Sequence, residues 1–352
     1  MYLKRGNGMI ATEGLVEVDK KLYFKSRYIA GTFCYDLTDN VTRLISETGK
    51  DKPLFKLLDY YLAVEYKEYV VFPPFLGDKF TIYNTKNGEF IYLFKRQNCL
   101  YRSYAVVNQR LYLFTLDSSE TTILEEENGK FYFTYLCDSV RDVKSIKING
   151  CDCVGNYIVL ASQSPNELVV YDTLQKRFDI VSINMGGMVA WTIHCIENSI
   201  WITGNQPVIY VIHEDLHTII KTIELSEKYI GGNKLSWDMC FSMGEIVGKY
   251  IFYAPMNYRA VTRVNASTNE IETIMPIDDD KYSWGINYVS DNCMHLNLVK
   301  DEKEHWSYFI NYDGEIIEED VFKLSNWSGY WRENPFLQES KFISLKCLLT
   351  NE

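Results

Sequence analysis

The sequence predicts an all-β fold assembled from seven copies of one small sheet, and three features support this prediction. A hairpin of an apolar strand, a polar turn and a second strand recurs about every 45 residues. Aromatic residues make up 15% of the chain, with 27 Tyr and 18 Phe, whereas there are only 8 Pro. Aromatic and β-branched side chains suit the pleated, half-buried surface of a strand. A regular period of this length indicates radial or solenoidal stacking of β-units.

The copies can be followed along the chain by their most apolar strand. This strand begins at Leu22, Tyr69, Leu111, Tyr157, Ile200, Tyr250 and Cys293, at intervals of 47, 42, 46, 43, 50 and 43 residues. The hairpin that follows it begins at Phe33, Phe80, Thr121, Leu168, Val208, Val261 and Tyr308. Continuous apolar runs are typical of strands that are buried on both faces. With one inner strand before the apolar strand, each copy has four strands.

Four-stranded units of this length resemble the blades of the β-propeller superfamily. The resemblance covers nearly the whole chain and depends on the repeat, because the signature dipeptides of the WD-repeat and kelch subfamilies do not recur at their usual positions. It implies a seven-bladed β-propeller that forms one domain over 1–352. The predicted blades are 13–47, 58–96, 101–137, 146–184, 189–226, 235–277 and 282–324. A β-helix is the structural alternative, but its coils are much shorter than these units.

A C-terminal extension over 325–352 follows the last predicted blade. Asn334 and Pro335 could cap and start a helix. The same stretch also alternates apolar and polar residues from Ile343 to Leu349, which would suit a strand that closes the ring. We expect a short helix docked on one face of the propeller.

Charge and cysteine content restrict the partners and the compartment. The formal net charge is -11, from 36 basic and 47 acidic residues, so a nucleic-acid partner or an anionic membrane is not expected. The 9 Cys are odd in number and lie mostly in apolar strands, as free thiols in a reducing compartment do. The first residues lack the apolar stretch of a signal peptide. We therefore expect a cytoplasmic protein; its oligomeric state stays open.

Tryptophan recurs at one position of the repeat. Counting nine residues back from the apolar strand gives Trp191, Trp284 and Arg102 in three copies, and Trp237 fits the same position with an insertion. Trp331 follows the last blade in a similar local string. Because equivalent positions lie around one opening, these four Trp could form an aromatic rim that stacks on a ligand. The alternative is that they pack between blades, in which case truncation costs about 3–5 kcal/mol of stability.

Polar residues cluster just after this position. The predicted ligand contacts are Trp191, Trp237, Trp284, Trp331, Arg102, Tyr104, Asn287 and Arg332. The candidates for catalysis are His194, Asp238, Arg102 and Glu333, and Asp152 lies on the inner strand of the fourth blade. An Arg fork could hold a carboxylate or phosphate, and His194 or Asp238 could transfer protons. Alternatively, each is a satisfied residue at a strand end.

Metal and cofactor signals are weak. His213 and His217 flank a hairpin turn, and one Cys-x-Cys pair, Cys151 and Cys153, is more typical of core packing than of zinc. Nucleophile elbows and phosphate-binding loops are absent from the sequence, so neither a metal nor a cofactor is expected. The sequence favours a binding or scaffold module whose acidic, aromatic-rimmed face takes a peptide, protein or carbohydrate. The alternative is an enzyme of lyase, hydrolase, epimerase or peptide-modifying type, with its site at the mouth of the central channel.

Overall fold

Seven sheets, each of four antiparallel strands, make up the fold. The computed structural model describes residues 12, 14–26, 31–46, 62–96, 99–116, 121–136, 147–231, 239–278, 280–300 and 304–322. It confirms the predicted seven-bladed β-propeller. Every sheet has its strands in chain order, so each blade is a simple meander. The C-terminal extension over 325–352 lies outside the described residues.

The strands of the first four blades run as follows. Blade 1 contains β1 (Leu15–Val18), β2 (Lys21–Lys25), β3 (Thr32–Asp36) and β4 (Val41–Ser46). Blade 2 contains β5 (Val64–Tyr66), β6 (Tyr69–Phe72), β7 (Lys79–Asn84) and β8 (Phe90–Phe94). Blade 3 contains β9 (Tyr101–Val107), β10 (Arg110–Thr115), β11 (Thr121–Glu127) and β12 (Lys130–Tyr135). Blade 4 contains β13 (Ile148–Val154), β14 (Tyr157–Ser162), β15 (Glu167–Asp172) and β16 (Arg177–Ser182).

The last three blades follow the same plan. Blade 5 contains β17 (Ala190–Ile196), β18 (Ser199–Gly204), β19 (Val208–His213) and β20 (Ile219–Glu224). A 3₁₀ turn (Glu227–Tyr229) separates it from blade 6. Blade 6 contains β21 (Phe241–Val247), β22 (Tyr250–Pro255), β23 (Ala260–Asn265) and β24 (Glu270–Pro276). Blade 7 contains β25 (Ile286–Ser290), β26 (Cys293–Lys300), β27 (Glu304–Ile310) and β28 (Ile316–Glu319).

Burial along each blade explains the sequence pattern. The second strand is almost wholly buried, as in β6, where all four residues are buried. The outermost strand alternates or is open, as in β12 and β28. Tight turns join the inner pair of strands: Asp19 and Lys20 lie between β1 and β2, both with positive φ. Two consecutive left-handed residues are typical of the hairpin turn whose twist matches that of the strands.

The chain divides into two compact units. Unit one comprises residues 1–94 and 280–352, and it contains blades 7, 1 and 2. Its inner strands pack in the order β25, β1, β5. Aromatic rings fill the space between blades 7 and 1, where the centroids of Phe24 and Phe322 are 4.5 Å apart. The side-chain amide of Asn297, on blade 7, donates to the carbonyl oxygen of Thr12, just before β1.

Unit two comprises residues 95–279 and contains blades 3 to 6. Its four inner strands pack side by side in the order β9, β13, β17, β21. Apolar side chains fill each space between neighbouring blades, and we call such a space a seam. In the seam between blades 5 and 6, for example, Trp201, Ile251 and Tyr253 are all buried. The inner strands therefore sit on a packed support, which fixes the polar side chains that they carry.

Candidate functional site

Strand register defines which residues of the four inner strands of unit two are equivalent. In each blade, the last residue of the second strand pairs with one residue of the inner strand. These inner-strand residues are, from blade 3 to blade 6, Tyr101, Ile148, Ala190 and Phe241. The next residue of each inner strand is therefore Arg102, Asn149, Trp191 or Ser242. Ser242, and not Trp237, is thus the equivalent of Trp191 in blade 6. Each of the four inner strands has the same one-residue bulge, so the spacing is conserved: Ile251 is the equivalent of Ile200, and nine residues before it is Ser242. The sequence count gave another residue because it started at Tyr250 and assumed an insertion.

The two described members of the predicted aromatic rim are buried. Trp191 is 9% exposed and Trp284 is 4% exposed. The indole of Trp191 lies in unit two and donates to the carbonyl oxygen of Ser242 at 2.9 Å, while the Arg102 guanidinium lies over its ring, 5.3 Å from the centroid. Trp284 lies in unit one and packs edge-on against Tyr282 at 5.2 Å. This corrects the expectation of an open aromatic rim for both residues, which pack as the framework alternative requires.

Side chains on one inner strand bond to the main chain of the next. Ser103 donates to the carbonyl of Asn149, and the Asn149 amide donates to the carbonyl of Ala190 at 3.1 Å. Trp191 continues this series with its bond to Ser242. An inner strand is the edge of its sheet, so part of its main chain has no ladder partner. In three successive seams, a side chain of one inner strand thus donates to the main chain of the next, and Trp191 provides the third of these bonds.

Asp152 joins blades 4 and 5. Its carboxylate accepts the main-chain N–H of Cys153 and, across the seam, the N–H of Cys195, both at 2.7 Å. Burial raises its pKa to about 6, although the two N–H donors act in the opposite direction. None of the groups that shift the pKa of Asp152 is a cation. Sequence reasoning placed Asp152 on the inner strand but could not detect that its charge is bonded only to backbone.

The titration of Asp152 gives a prediction for stability against pH. Its pKa is raised from 3.8 to about 6 on folding, so its contribution to stability is greatest below 3.8 and is lost as pH rises through 6. Relative to Asp152→Asn, the free energy of unfolding of the wild type should therefore fall by about 3 kcal/mol across this window. Urea unfolding of both proteins at a series of pH values measures the difference. A difference that stays constant with pH would contradict the assignment.

His194 fills a space next to Gly244 in the seam between blades 5 and 6. A Cβ at position 244 would overlap the imidazole Nε2, and the ring lies edge-on to Tyr253 with centroids 5.4 Å apart. Burial lowers the pKa of His194 to about 4, so the ring is neutral at neutral pH. Its Nε2 has no hydrogen-bond partner among the described residues, and no carboxylate influences its pKa. The role of His194 in proton transfer stays a prediction, without an acid–base partner in the described part of the chain.

Tyr104 marks the polar surface of the inner strands. Burial raises the pKa of its phenol well above the usual value, and the carboxylates of Glu245 and Asp152 act in the same direction. Tyr104 lies on β9 and Glu245 on β21, the first and the fourth of the neighbouring inner strands. The effect of Glu245 on the pKa of Tyr104 therefore extends across the inner strands of unit two, and Tyr104 retains some solvent contact.

The remaining predicted site residues belong to unit one or lie outside the described residues. Asn287 is 7% exposed on β25 and belongs to unit one, as does Trp284. Trp237, Asp238, Trp331, Arg332 and Glu333 lie outside the described residues. Of the predicted site residues, Arg102, Tyr104, Trp191 and His194 lie on the inner strands of unit two, and the structure shows a contact between Arg102 and Trp191. Asp152 and Glu245 lie on two of the same strands, and a search for carboxylates at equivalent levels of the inner strands could have found both.

Other features bear on the class of protein. Within the described ranges, no three His, Cys, Asp or Glu side chains converge as ligands for a metal ion. None of the described cysteines forms a disulfide. Among the described residues, no helix has the length and apolar character needed to cross a membrane.

Comparison with known proteins shows the fold. No protein-family model and no curated protein sequence matches the chain. In structure it is similar to the virginiamycin B lyase of Staphylococcus aureus, with a TM-score of 0.62 and 13% identity over 88% of this chain and 97% of the lyase. It is similar to U3-55K, with a TM-score of 0.64 and 10% identity over 88% of this chain and 98% of that protein. It is also similar to the RRP9 WD40 repeats, with a TM-score of 0.62 and 10% identity over 86% of this chain and 91% of that protein.

Proposed function

We propose that this propeller is a non-enzymatic binding module that holds a peptide or protein segment on the inner strands of unit two. The observation that supports the proposal is the row of adjoining inner strands in unit two, which carries polar side chains and holds the Arg102 guanidinium over the Trp191 ring, 5.3 Å from its centroid. Such a surface, lined by a few polar groups on a rigid support, suits recognition of an extended ligand. A scaffold role is also consistent with the propeller fold, which alone does not establish function.

Arg102 supports a peptide ligand rather than a carbohydrate. Its guanidinium is held over the Trp191 ring, and the indole is itself anchored to Ser242. This stacking holds the Arg102 cation in place, and a peptide offers carboxylate side chains and main-chain carbonyls that a guanidinium fork can bind. A sugar would need an open aromatic face for stacking, whereas the described Trp191 is buried. The positioned cation and the buried ring therefore favour a peptide.

The enzyme alternative has less support. An acid–base mechanism needs two titratable groups within reach of one point of the substrate. His194 is neutral, and no carboxylate acts on it. Asp152 bonds to backbone N–H groups rather than to another titratable side chain. The likeness to a lyase, at 13% identity, concerns the fold.

A display library of random peptides, selected on the full-length chain, tests the proposal. We expect selected peptides to bind Arg102→Ala at least about tenfold more weakly than the wild type. Arg177→Ala is the matched control, because Arg177 is an exposed arginine on the outer strand β16, paired with Asp179. Peptides that bind both variants and the wild type equally, or a library without any enriched peptide, would refute the proposal.

A further inference from the structure

We infer that the outer strand of blade 2, β8, pairs edge to edge with β8 of a second copy of this chain, so that the protein forms a dimer. The segment from Glu89 to Lys95 reads EFIYLFK. Tyr92 lies at its centre, residues of similar kind lie at equal distances on either side, and the two ends carry opposite charges. Two such segments in antiparallel orientation complement each other along their whole length. The inference goes beyond the proposed function and does not depend on it.

The position of β8 in its sheet is suited to such pairing. β8 is the last strand in the order of blade 2, and among the described strands it pairs with β7 alone. An outermost strand can receive a strand from another chain, and charged residues on it oppose this. β8 has no charged residue within it. Most other outer strands do: Arg43 in β4, Arg177 and Asp179 in β16, Lys221 and Glu224 in β20, Glu270 and Glu272 in β24, and Glu318 and Glu319 in β28.

The side chains of β8 expose apolar surface. Phe94 is 69% exposed and Tyr92 is 42% exposed. The rings of Phe90 and Tyr92 are stacked along the strand with centroids 6.0 Å apart, and the Lys79 ammonium lies over the Phe94 ring, 4.7 Å from its centroid. These contacts within blade 2 hold the three rings in place. Removing such surface from water favours association.

The hydrogen bonds between β7 and β8 determine which main-chain groups face outwards. The main-chain N–H of Asn84 donates to the carbonyl oxygen of Glu89 at 2.9 Å. In an antiparallel ladder such pairs recur at every second residue, so the main chain of Phe90, Tyr92 and Phe94 is directed away from β7. A pairing centred on Tyr92 places these three residues opposite the same three of the second copy. With two hydrogen bonds in each of these pairs, the edge can form about six main-chain bonds.

Charge complementarity indicates a second copy as the partner and sets the register. In the pairing centred on Tyr92, Glu89 lies opposite the partner subunit's Lys95, and Lys95 lies opposite the partner subunit's Glu89. These pairs have no main-chain hydrogen bonds between them, and the side chains of such pairs approach most closely. Opposite charges that face each other across strands stabilise the pairing, and like charges oppose it. A pairing shifted along the strand loses both ion pairs.

The two charged side chains also have contacts within their own chain. Glu89 is exposed and accepts a hydrogen bond from the side-chain amide of Asn87 at 2.9 Å. The Lys95 ammonium donates to the carbonyl oxygen of Cys99 at 2.5 Å. Both of these partners are neutral, so they do not cancel the charges that the pairing uses.

The outer strand of blade 3, β12, provides a comparison. It is aromatic like β8, and Tyr132 is 50% exposed. Its one charged residue is Lys130, at the first position. An antiparallel pairing of two β12 strands centred on residue 132 or 133 places Lys130 opposite Thr134 or Leu136, so no acidic residue meets it. An exposed aromatic edge is thus present in both blades, but the complementary charges are found at β8.

Sedimentation equilibrium of the full-length chain at neutral pH tests the dimer. Because the edge is short compared with interfaces of roughly 1,200–2,000 Å² in stable complexes, we expect a dissociation constant of about 1–100 μM. Tyr92→Lys places two ammonium groups opposite each other at the centre and should weaken association at least about tenfold. Tyr132→Lys adds the same charge to the outer strand of blade 3 and should leave the dissociation constant unchanged. A wild type that is monomeric at about 300 μM, or equal effects of the two substitutions, would overturn the inference.

Two charge variants test the register. Glu89→Lys places lysines opposite Lys95, and Lys95→Glu places glutamates opposite Glu89, so each variant alone should dimerise at least about tenfold more weakly than the wild type. When the two variants are mixed, both end pairs are of opposite charge, and a heterodimer should form about as tightly as the wild-type dimer. Thermal melts check that each variant is folded. Wild-type affinity in both single variants, or a mixture that associates no more tightly than either variant alone, would show that the pairing about Tyr92 is wrong.

Discussion

Replacing Gly204 with alanine is expected to lower the free energy of unfolding by about 3 kcal/mol or more. A Cβ at this position would overlap the carbonyl oxygen of Val189 and lie 2.8 Å from Cγ of Met188. The obstacle is main chain, which cannot rotate away. Gly204 also accepts a hydrogen bond from Cys240 N at 3.0 Å, so a shift of the strand end would disturb blade 6 as well. Urea unfolding measures the loss.

Gly155→Ala is the control for this substitution. Nothing lies within 4 Å of a Cβ built at Gly155, but its φ of +58° disfavours alanine. The cost there should be about 1–2 kcal/mol, from backbone strain alone. Gly204 has no such left-handed φ, so its cost is steric. An equal or smaller loss for Gly204→Ala would show that the close approach to Val189 is not maintained in solution.

Truncation of Trp191 to alanine should destabilise the protein by about 3–5 kcal/mol. The change empties a buried volume, removes the hydrogen bond to Ser242 and takes away the ring beneath Arg102. Chemical denaturation measures the effect, with circular dichroism as the signal for the loss of β-structure. Trp191→Phe keeps most of the packing but loses the N–H donor. The loss of this donor should lower the free energy of unfolding by about 1–2 kcal/mol, in addition to the effect of the smaller ring.

The opposite result for Trp191 would be informative. If Trp191→Ala unfolds at the same denaturant concentration as the wild type while peptide binding is lost, the indole contacts the ligand. Its packing and hydrogen bond in the seam then contribute little to the free energy of unfolding. Loss of stability together with weaker binding is the result that the structure favours, since Arg102 depends on this ring for its position.

The sequence was sufficient for the fold because the signal is local and repeated. A strand buried on both faces, such as β14, reads as an apolar run, and seven such runs at similar spacing identify seven blades. Each blade is made of consecutive strands, so no long-range pairing had to be guessed. The positive φ of Asn40, in the turn between β3 and β4, agrees with the hairpin that the pattern predicts from Phe33.

The site was harder to predict for two physical reasons. The first residue of β22, Tyr250, is apolar like the strand interior, so the sequence count started one residue before Ile251, the equivalent of Ile200, and passed over Ser242 in favour of Trp237. Local sequence also does not state whether an inner-strand side chain turns towards the next blade or towards solvent. The Trp191 indole bonds to a residue 51 positions away, and Asp152 to one 43 positions away.

The meander order of every blade has an evolutionary consequence. A duplication or deletion of the DNA for one repeat would add or remove an entire sheet with all four of its strands, and would leave no half-sheet behind. Genes for such chains can therefore change length in whole structural modules. The hydrogen bonds between neighbouring inner strands, such as that from Asn149 to Ala190, are the connections that a newly inserted module would have to re-establish.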